Sequence, residues 1–267
     1  DSIVNYFGEL GFRNNTKIFL YYQDGFDGGN NALGGFIQDD IGVISMGTNT
    51  GVDSIDVIAH EFTHFVSRSI VHWSGNNQTG SINEALSDIF GEIVEGYIVN
   101  QEPNWKMSNF RDIESPDGNC ITNYSDYDES LDCHYASTLL SHASYLMYNG
   151  ISNSNQNFEA LTANDIAHLF YETLYILPSD CSFSQFRTLV QNTAEIMYCQ
   201  GRLSYKQVLC VSNAFFQVGI TPAISSVAKH LSLDVYGIDG LPYENYTLSV
   251  RHYGGAEKTY SGETIKS

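Results

Sequence analysis

Two histidines four residues apart, in His60-Glu61-Phe62-Thr63-His64, restrict this chain more than any other feature. They sit inside Val57 to Val66, where apolar residues recur with a helical period, so the helix predicted over 53–69 is a buried one. On a helix, side chains at i and i+4 share a face with Cβ atoms roughly 6 Å apart, which lets both imidazoles reach one cation. Glu61 is turned about 100° around the helix, so it stands beside such a cation and does not ligate it. That is the place for a general base acting on an attacking water. The fold must therefore hold one polar stripe in its interior.

Twenty residues after His64 stands Glu84, in Ser81-Ile82-Asn83-Glu84-Ala85-Leu86-Ser87-Asp88-Ile89-Phe90. This segment predicts a second helix, near 82–98, with Glu84 and Asp88 one turn apart. A solvated face would explain two carboxylates, but their neighbours Ile82, Leu86, Ile89 and Phe90 are apolar, and unpaired charge among them is costly. Glu84 is read as a third ligand, and Asp88 as the acceptor for the outer N–H of a ligating histidine. Two histidines and one glutamate leave a fourth position open, which marks a catalytic zinc site and not a structural one.

Composition narrows the class. A hydrophobic share of 42% over 267 residues is enough for a buried core, and the net charge of −19 repels phosphate backbones and anionic lipid, so nucleic acid is an improbable partner. No apolar run is long enough for a membrane span. With only 16% of residues charged, the surface must be rich in Asn, Ser, Thr, Tyr and Gly, which suits an extracellular protein. Cys120, Cys133, Cys181, Cys199 and Cys210 are odd in number and match no zinc-ribbon spacing, so at least one thiol is left over.

The period of the pattern changes twice along the chain. Residues 1–52 join a short amphipathic run, Ile3 to Leu10, to β-rich pieces at Ile18–Tyr22 and Val43–Met46. Residues 53–220 read as a helical lobe, with helices near 53–69, 82–98, 134–149, 163–176, 182–199 and 204–217. Residues 221–267 alternate again, at Leu231–Tyr236 and Tyr246–Arg251, and are expected to be a linker and an incomplete appended β-module.

His-Glu-x-x-His followed at this distance by Asn-Glu-x-x-x-Ser-Asp resembles the thermolysin family of metalloendopeptidases, over roughly residues 1–220. The resemblance implies an α+β fold of two lobes, mainly α-helical in its C-terminal lobe, with a truncated β-rich N-terminal lobe. It implies zinc on His60, His64 and Glu84, Glu61 as base and Asp88 oriented on His60. Asp132-Cys133-His134-Tyr135-Ala136-Ser137 is similar to a segment of the vibriolysin and pseudolysin branch, in which His134 donates to the oxyanion and Asp132 orients it. Arg111 lines up with an arginine that binds the substrate's carbonyl oxygen. Asn31-Ala32 resembles an edge-strand pair that adds an extended peptide to the sheet, although Leu33-Gly34 stands where the family has aromatics. Val57, Met107 and Phe110 align with the walls of the apolar pocket for the residue after the scissile bond.

The departures are specific. The tyrosine that assists His134 in the family falls on Gly75, and the family's first β-rich segment has no counterpart before Asp1. The paired-calcium site maps onto Asp56, Glu95, Asn104 and Lys106, where an ammonium replaces a carboxylate, leaving room for one calcium on Asp56 and Glu95. The expectation is a secreted, monomeric zinc endopeptidase acting on protein or peptide substrates before hydrophobic residues. A catalytically impaired binding or adhesion module is the alternative, and an unrelated His-Glu-x-x-His aminopeptidase a third reading.

Overall fold

The structure, a computed structural model, describes residues 1–13, 17–22, 31–38, 41–47, 54–74, 77–108, 110–152, 157–222, 245–251 and 257–263. The chain forms two compact units, Asp1–Ala223 and Ile224–Ser267.

The first unit begins with helix α1 (Ser2–Glu9) and strands β1 (Lys17–Tyr22), β2 (Ala32–Gln38) and β3 (Ile41–Met46). The sheet order is β1-β3-β2, with β1 parallel to β3 from Lys17↔Ile41 to Tyr22↔Met46 and β2 antiparallel to it from Ala32↔Met46. Strand β2 therefore lies at a sheet edge. The residue pattern pointed to β1 and β3, while an edge strand at Asn31-Ala32 was expected from the family resemblance alone; Gly34-Gly35 interrupts the alternation of β2. Gly34 and Gly42 have a packing reason. A Cβ on Gly42 would lie 2.5 Å from the Phe65 ring, and one on Gly34 would lie 2.9 Å from the Glu61 carbonyl oxygen. The sheet thus approaches the helix behind it closely enough to touch its backbone.

That helix is α2 (Ile55–Ile70), and it packs along α3 (Gln78–Val99). Gly91 lets them meet, since a Cβ there would lie 2.8 Å from the Asp56 carbonyl oxygen. On α3 the apolar Ile82, Ala85, Leu86, Ile89 and Phe90 form one buried face, and Asn83, Ser87, Asp88 and Glu92 on the other faces are buried too, the mark of a helix largely enclosed. It ends at Asn100, whose φ of 55° is the left-handed cap conformation. Two short antiparallel strands, β4 (Lys106–Met107) and β5 (Arg111–Asp112), follow.

The helix predicted over 134–149 is two, α4 (Cys133–Ala136) and α5 (Thr138–Asn149). At the junction the Ser137 and Thr138 hydroxyls donate to the carbonyls of His134 and Tyr135 at 2.8 and 2.7 Å, competing with the helical ladder. Strands β6 (Ile151–Ser152) and β7 (Asn157–Phe158) precede α6 (Ala163–Leu174), α7 (Phe183–Cys199) and α8 (Tyr205–Gln217). Each of these three helices opens with a capping box: Thr162 with Asp165, Ser182 with Gln185, and Ser204 with Gln207. Their inner faces complete one continuous core with α3 and α5.

The second unit contains an antiparallel hairpin of β8 (Asn245–Arg251) and β9 (Glu257–Glu263). It includes the strand expected at Tyr246–Arg251; the one expected at Leu231–Tyr236 lies outside the described residues, as does Gly75. Among the described residues no helix is long and apolar enough to cross a membrane.

Candidate metal centre and catalytic cleft

Helices α2 and α3 bring His60, His64 and Glu84 to one point. The two Nε2 atoms are 3.1 Å apart, and Glu84 places Oε2 3.3 Å from His60 Nε2 and Oε1 3.5 Å from His64 Nε2. A tetrahedral zinc ion with bonds of about 2.05 Å needs donors roughly 3.3 Å apart. Two imidazoles and a carboxylate are also zinc's ordinary donor set. Glu84 Oε2 is buried and, among the described residues, meets no hydrogen-bond donor outside the His60 and His134 rings, at 3.3 and 3.6 Å. The residues present fit zinc.

Each histidine is oriented from behind. His60 Nδ1 lies 2.9 Å from Asp88 Oδ1, leaving Nε2 to face the donors. Asp88 is fully buried and also receives Arg111, through Nε at 2.8 Å and Nη2 at 2.5 Å. The sequence pattern did not reveal the support of His64. Its Nδ1 is met by Asn83 Nδ2 at 2.9 Å and Ser87 Oγ at 3.1 Å, and the Ser67 hydroxyl donates to Asn83 Oδ1 at 2.7 Å. Asn83 and Ser87 flank Glu84 and Asp88 one turn apart, so the signal was there, but neutral side chains among apolar ones do not stand out as charges do.

The charges reinforce the geometry. Burial opposes a proton on His60, but hydrogen bonds to Asp88 and Glu84 and their charges outweigh it and push its pKa up to about 10. His64 is pushed down by burial. Burial works against ionised Glu84, yet the His60 hydrogen bond and the His64, His60 and His134 rings hold its carboxyl well below the usual range. A proton and a cation thus compete for one pocket.

Glu61 lies between the histidines, 7% exposed, and its Oε2 accepts the backbone N–H of Gly34 on β2 at 2.5 Å. This bond ties the sheet edge to the candidate base. Ala32 begins the same strand and Asn31 precedes it, with Ala32 N–H donating to Asn31 Oδ1 at 2.9 Å. Across the cleft, His134 Nε2 stands 3.6 Å from Glu84 Oε2, while its Nδ1 is 2.7 Å from Asp132 Oδ1. Asp132 also accepts the His134 backbone N–H, so it caps α4 and fixes the ring together. The ring's pKa is pushed up to about 9 by the hydrogen bond to Cys133, with burial opposing and Glu84 and Asp132 adding.

The remaining expected residues divide. Val57 and Met107 are core residues, 3% and 1% exposed, whereas Phe110 is 39% exposed. Arg111 is tied to Asp88, and its positive charge sits directly behind His60. Calcium fits poorly. Asp56 accepts the Ser54 hydroxyl, the Ser108 hydroxyl at 3.0 and 2.8 Å, and Val57 N–H at 2.8 Å. Asn104 donates to Glu95 at 3.3 Å, and Lys106 turns away to Asp112 at 3.0 Å. Among the described residues Asp56, Glu95 and the nearby buried Glu92 do not bring three ligand atoms together.

A family model described as "Thermolysin metallopeptidase, alpha-helical domain" matches residues 74–220, which include Glu84, Asp88, Arg111, Asp132 and His134. A thermostable neutral protease of Geobacillus stearothermophilus is 31% identical over 185 residues, covering 62% of this chain and 33% of the relative. A thermolysin of Alicyclobacillus acidocaldarius is 31% identical over the same shares. The chain thus spans about a third of the length of these relatives. The fold matches that of a precursor of protealysin, a metalloproteinase from Serratia proteamaculans, with a TM-score of 0.60 at 21% identity, over 83% of this chain and 78% of that one. With the model match spanning more than half of its residues, this chain belongs to the thermolysin family of metallopeptidases.

Proposed function

We propose that the chain carries the catalytic centre of a secreted zinc endopeptidase that cuts internal peptide bonds before hydrophobic residues. The observation that carries this reading is the convergence of His60 Nε2, His64 Nε2 and a Glu84 carboxylate oxygen within 4.8 Å, with Glu61 on the adjoining face of the same helix. Zinc held there supplies Lewis acidity to a water and to the scissile carbonyl.

The chain's own residues do the rest. Glu61 takes the proton of the attacking water and hands it to the departing amine, while Gly34 N–H holds one of its oxygens. His134 donates from Nε2 to the developing oxyanion; Asp132, on Nδ1, fixes the tautomer that can do so. Arg111, held by Asp88, adds positive charge on the carbonyl side. The edge strand β2, which begins at Ala32, pairs with an extended substrate near Asn31-Ala32, and exposed Phe110 supplies apolar surface for the residue after the cut. The low charged share of 16% supports an extracellular setting.

The test is cleavage of a quenched peptide library by the zinc-loaded chain and by Glu61→Gln. Cleavage before hydrophobic residues is expected, with kcat lower by about 10²–10⁴ in Glu61→Gln at unchanged zinc content. Equal cleavage by both proteins would overturn the role of Glu61, and no cleavage by the zinc-loaded wild type would overturn the endopeptidase reading.

A further inference from the structure

A cavity of about 820 Å³ is bounded by α1, β1, α2 and α3, and none of its lining residues belongs to the candidate metal site. Its floor is apolar: Phe62 and Phe65 of α2 are buried there, with Ile18 of β1 and Phe12 beside them. The α1 face that lines it carries Gly8, so the helix leaves this space open. A Cβ on Gly8 would meet only Arg13 Nη1, at 3.5 Å. On one side Tyr97 donates from its hydroxyl to Glu9 at 3.0 Å, which occupies that carboxylate.

Arg13 is the one cation among the described lining residues. Its Nη1 donates to the carbonyl oxygens of Gly8 and Phe12 at 2.5 and 2.8 Å, which pins the guanidinium to the cavity wall. Arg111, Arg202 and Lys106 each have a carboxylate partner, whereas Arg13 has none among the described residues, and its Nε and Nη2 meet no acceptor. That free edge is the planar fork that a carboxylate fits with two parallel hydrogen bonds.

We propose that this cavity binds one molecule of a medium-chain fatty acid, its carboxylate on the Nε–Nη2 edge of Arg13 and its chain on Phe12, Ile18, Phe62 and Phe65. The volume lies within the range of small-molecule sites. The floor offers no polar side chain, so the body of the ligand must be apolar. The C-terminus of a peptide would share the Arg13 anchor but would leave its amide groups unpaired on that floor, which is costly. The binding is independent of the peptidase reading above.

Isothermal titration of the intact chain with decanoate, below its micellar concentration, tests the site. We expect one equivalent to bind and the melting temperature to rise with decanoate. Gly8→Leu fills the cavity, and because leucine is the better helix former the variant should fold, as circular dichroism would verify. It should bind no decanoate and show no rise. Arg13→Gln with decanoate, and the wild type with decan-1-ol, should each bind about tenfold or more weakly, the scale of one charge-assisted hydrogen bond. Absence of binding to the wild type, or binding that survives Gly8→Leu and therefore lies elsewhere, would overturn the site. So would decan-1-ol binding as tightly as decanoate, since Arg13 would then select nothing. A wild type that sediments as a dimer, is split by Gly8→Leu and takes up no decanoate would give the cavity to a second copy of the chain and overturn the fatty-acid assignment.

Discussion

Asp88→Asn separates the two partners that Asp88 holds. The carboxylate is fully buried, 2.9 Å from His60 Nδ1 and bound twice by Arg111, whose side chain is only 10% exposed. Burial works against ionised Asp88, but Arg111 and His60 outweigh it and keep it charged, so the substitution removes a real charge. The Arg111 side is a stability effect: breaking a buried pair costs about 3–5 kcal/mol, and because the asparagine oxygen still accepts one bond, the low end applies. At about 2–4 °C per kcal/mol for a domain this size, the melting temperature should fall by about 6–12 °C. The His60 side is a metal effect. Losing the orienting carboxylate weakens zinc by about 10–100-fold, or about 1.4–2.8 kcal/mol. Melting curves in chelator isolate the first effect, since no cation then contributes, and competition against a fluorescent zinc chelator measures the second. A variant that melts like wild type in chelator would refute the Arg111 argument; one with wild-type zinc affinity would refute the orientation of His60.

Other perturbations have definite signs. Glu92 is fully buried, and burial, then the charge of Asp56, with those of Glu95 and Asp88 adding and the Lys106 backbone N–H opposing, pushes its carboxyl up to about 8. The folded state therefore holds a proton that the unfolded chain gives up near 4.5, so stability falls as pH rises from about 4.5 to about 8. Glu92→Gln should flatten the melting temperature across that window, and an unchanged slope would count against a neutral Glu92. Asn83→Ala removes one of two groups on His64 Nδ1 and should weaken zinc about tenfold in the same competition assay; unaltered affinity would mean that Ser87 alone orients the ring. Gly34→Ala puts a Cβ 3.0 Å from Glu61 Oε2 and should lower kcat while leaving zinc content intact, measured by cleavage and metal analysis side by side. Equal kcat would show that the base does not depend on this strand.

The sequence by itself pointed to the candidate metal site and to most of the helices. Spacing on a helix is fixed by its pitch, so the pairs His60/His64 and Glu84/Asp88 were legible from local order, whereas the convergence of the two pairs depends on α2 packing against α3. The helices expected from 163, 182 and 204 begin at 163, 183 and 205, each behind a capping box of four consecutive residues. The tertiary structure decided what depends on distant partners. Sequence could not show Gly34 N–H reaching Glu61 across 27 residues, or the Ser108 hydroxyl settling on Asp56 across 52. Nor could it show that Val57 and Met107 lie in the core while Phe110 stays exposed. Periodicity reports which face of an element is apolar, but contacts between elements depend on how closely those faces approach, and here glycines at 34, 42 and 91 set that approach.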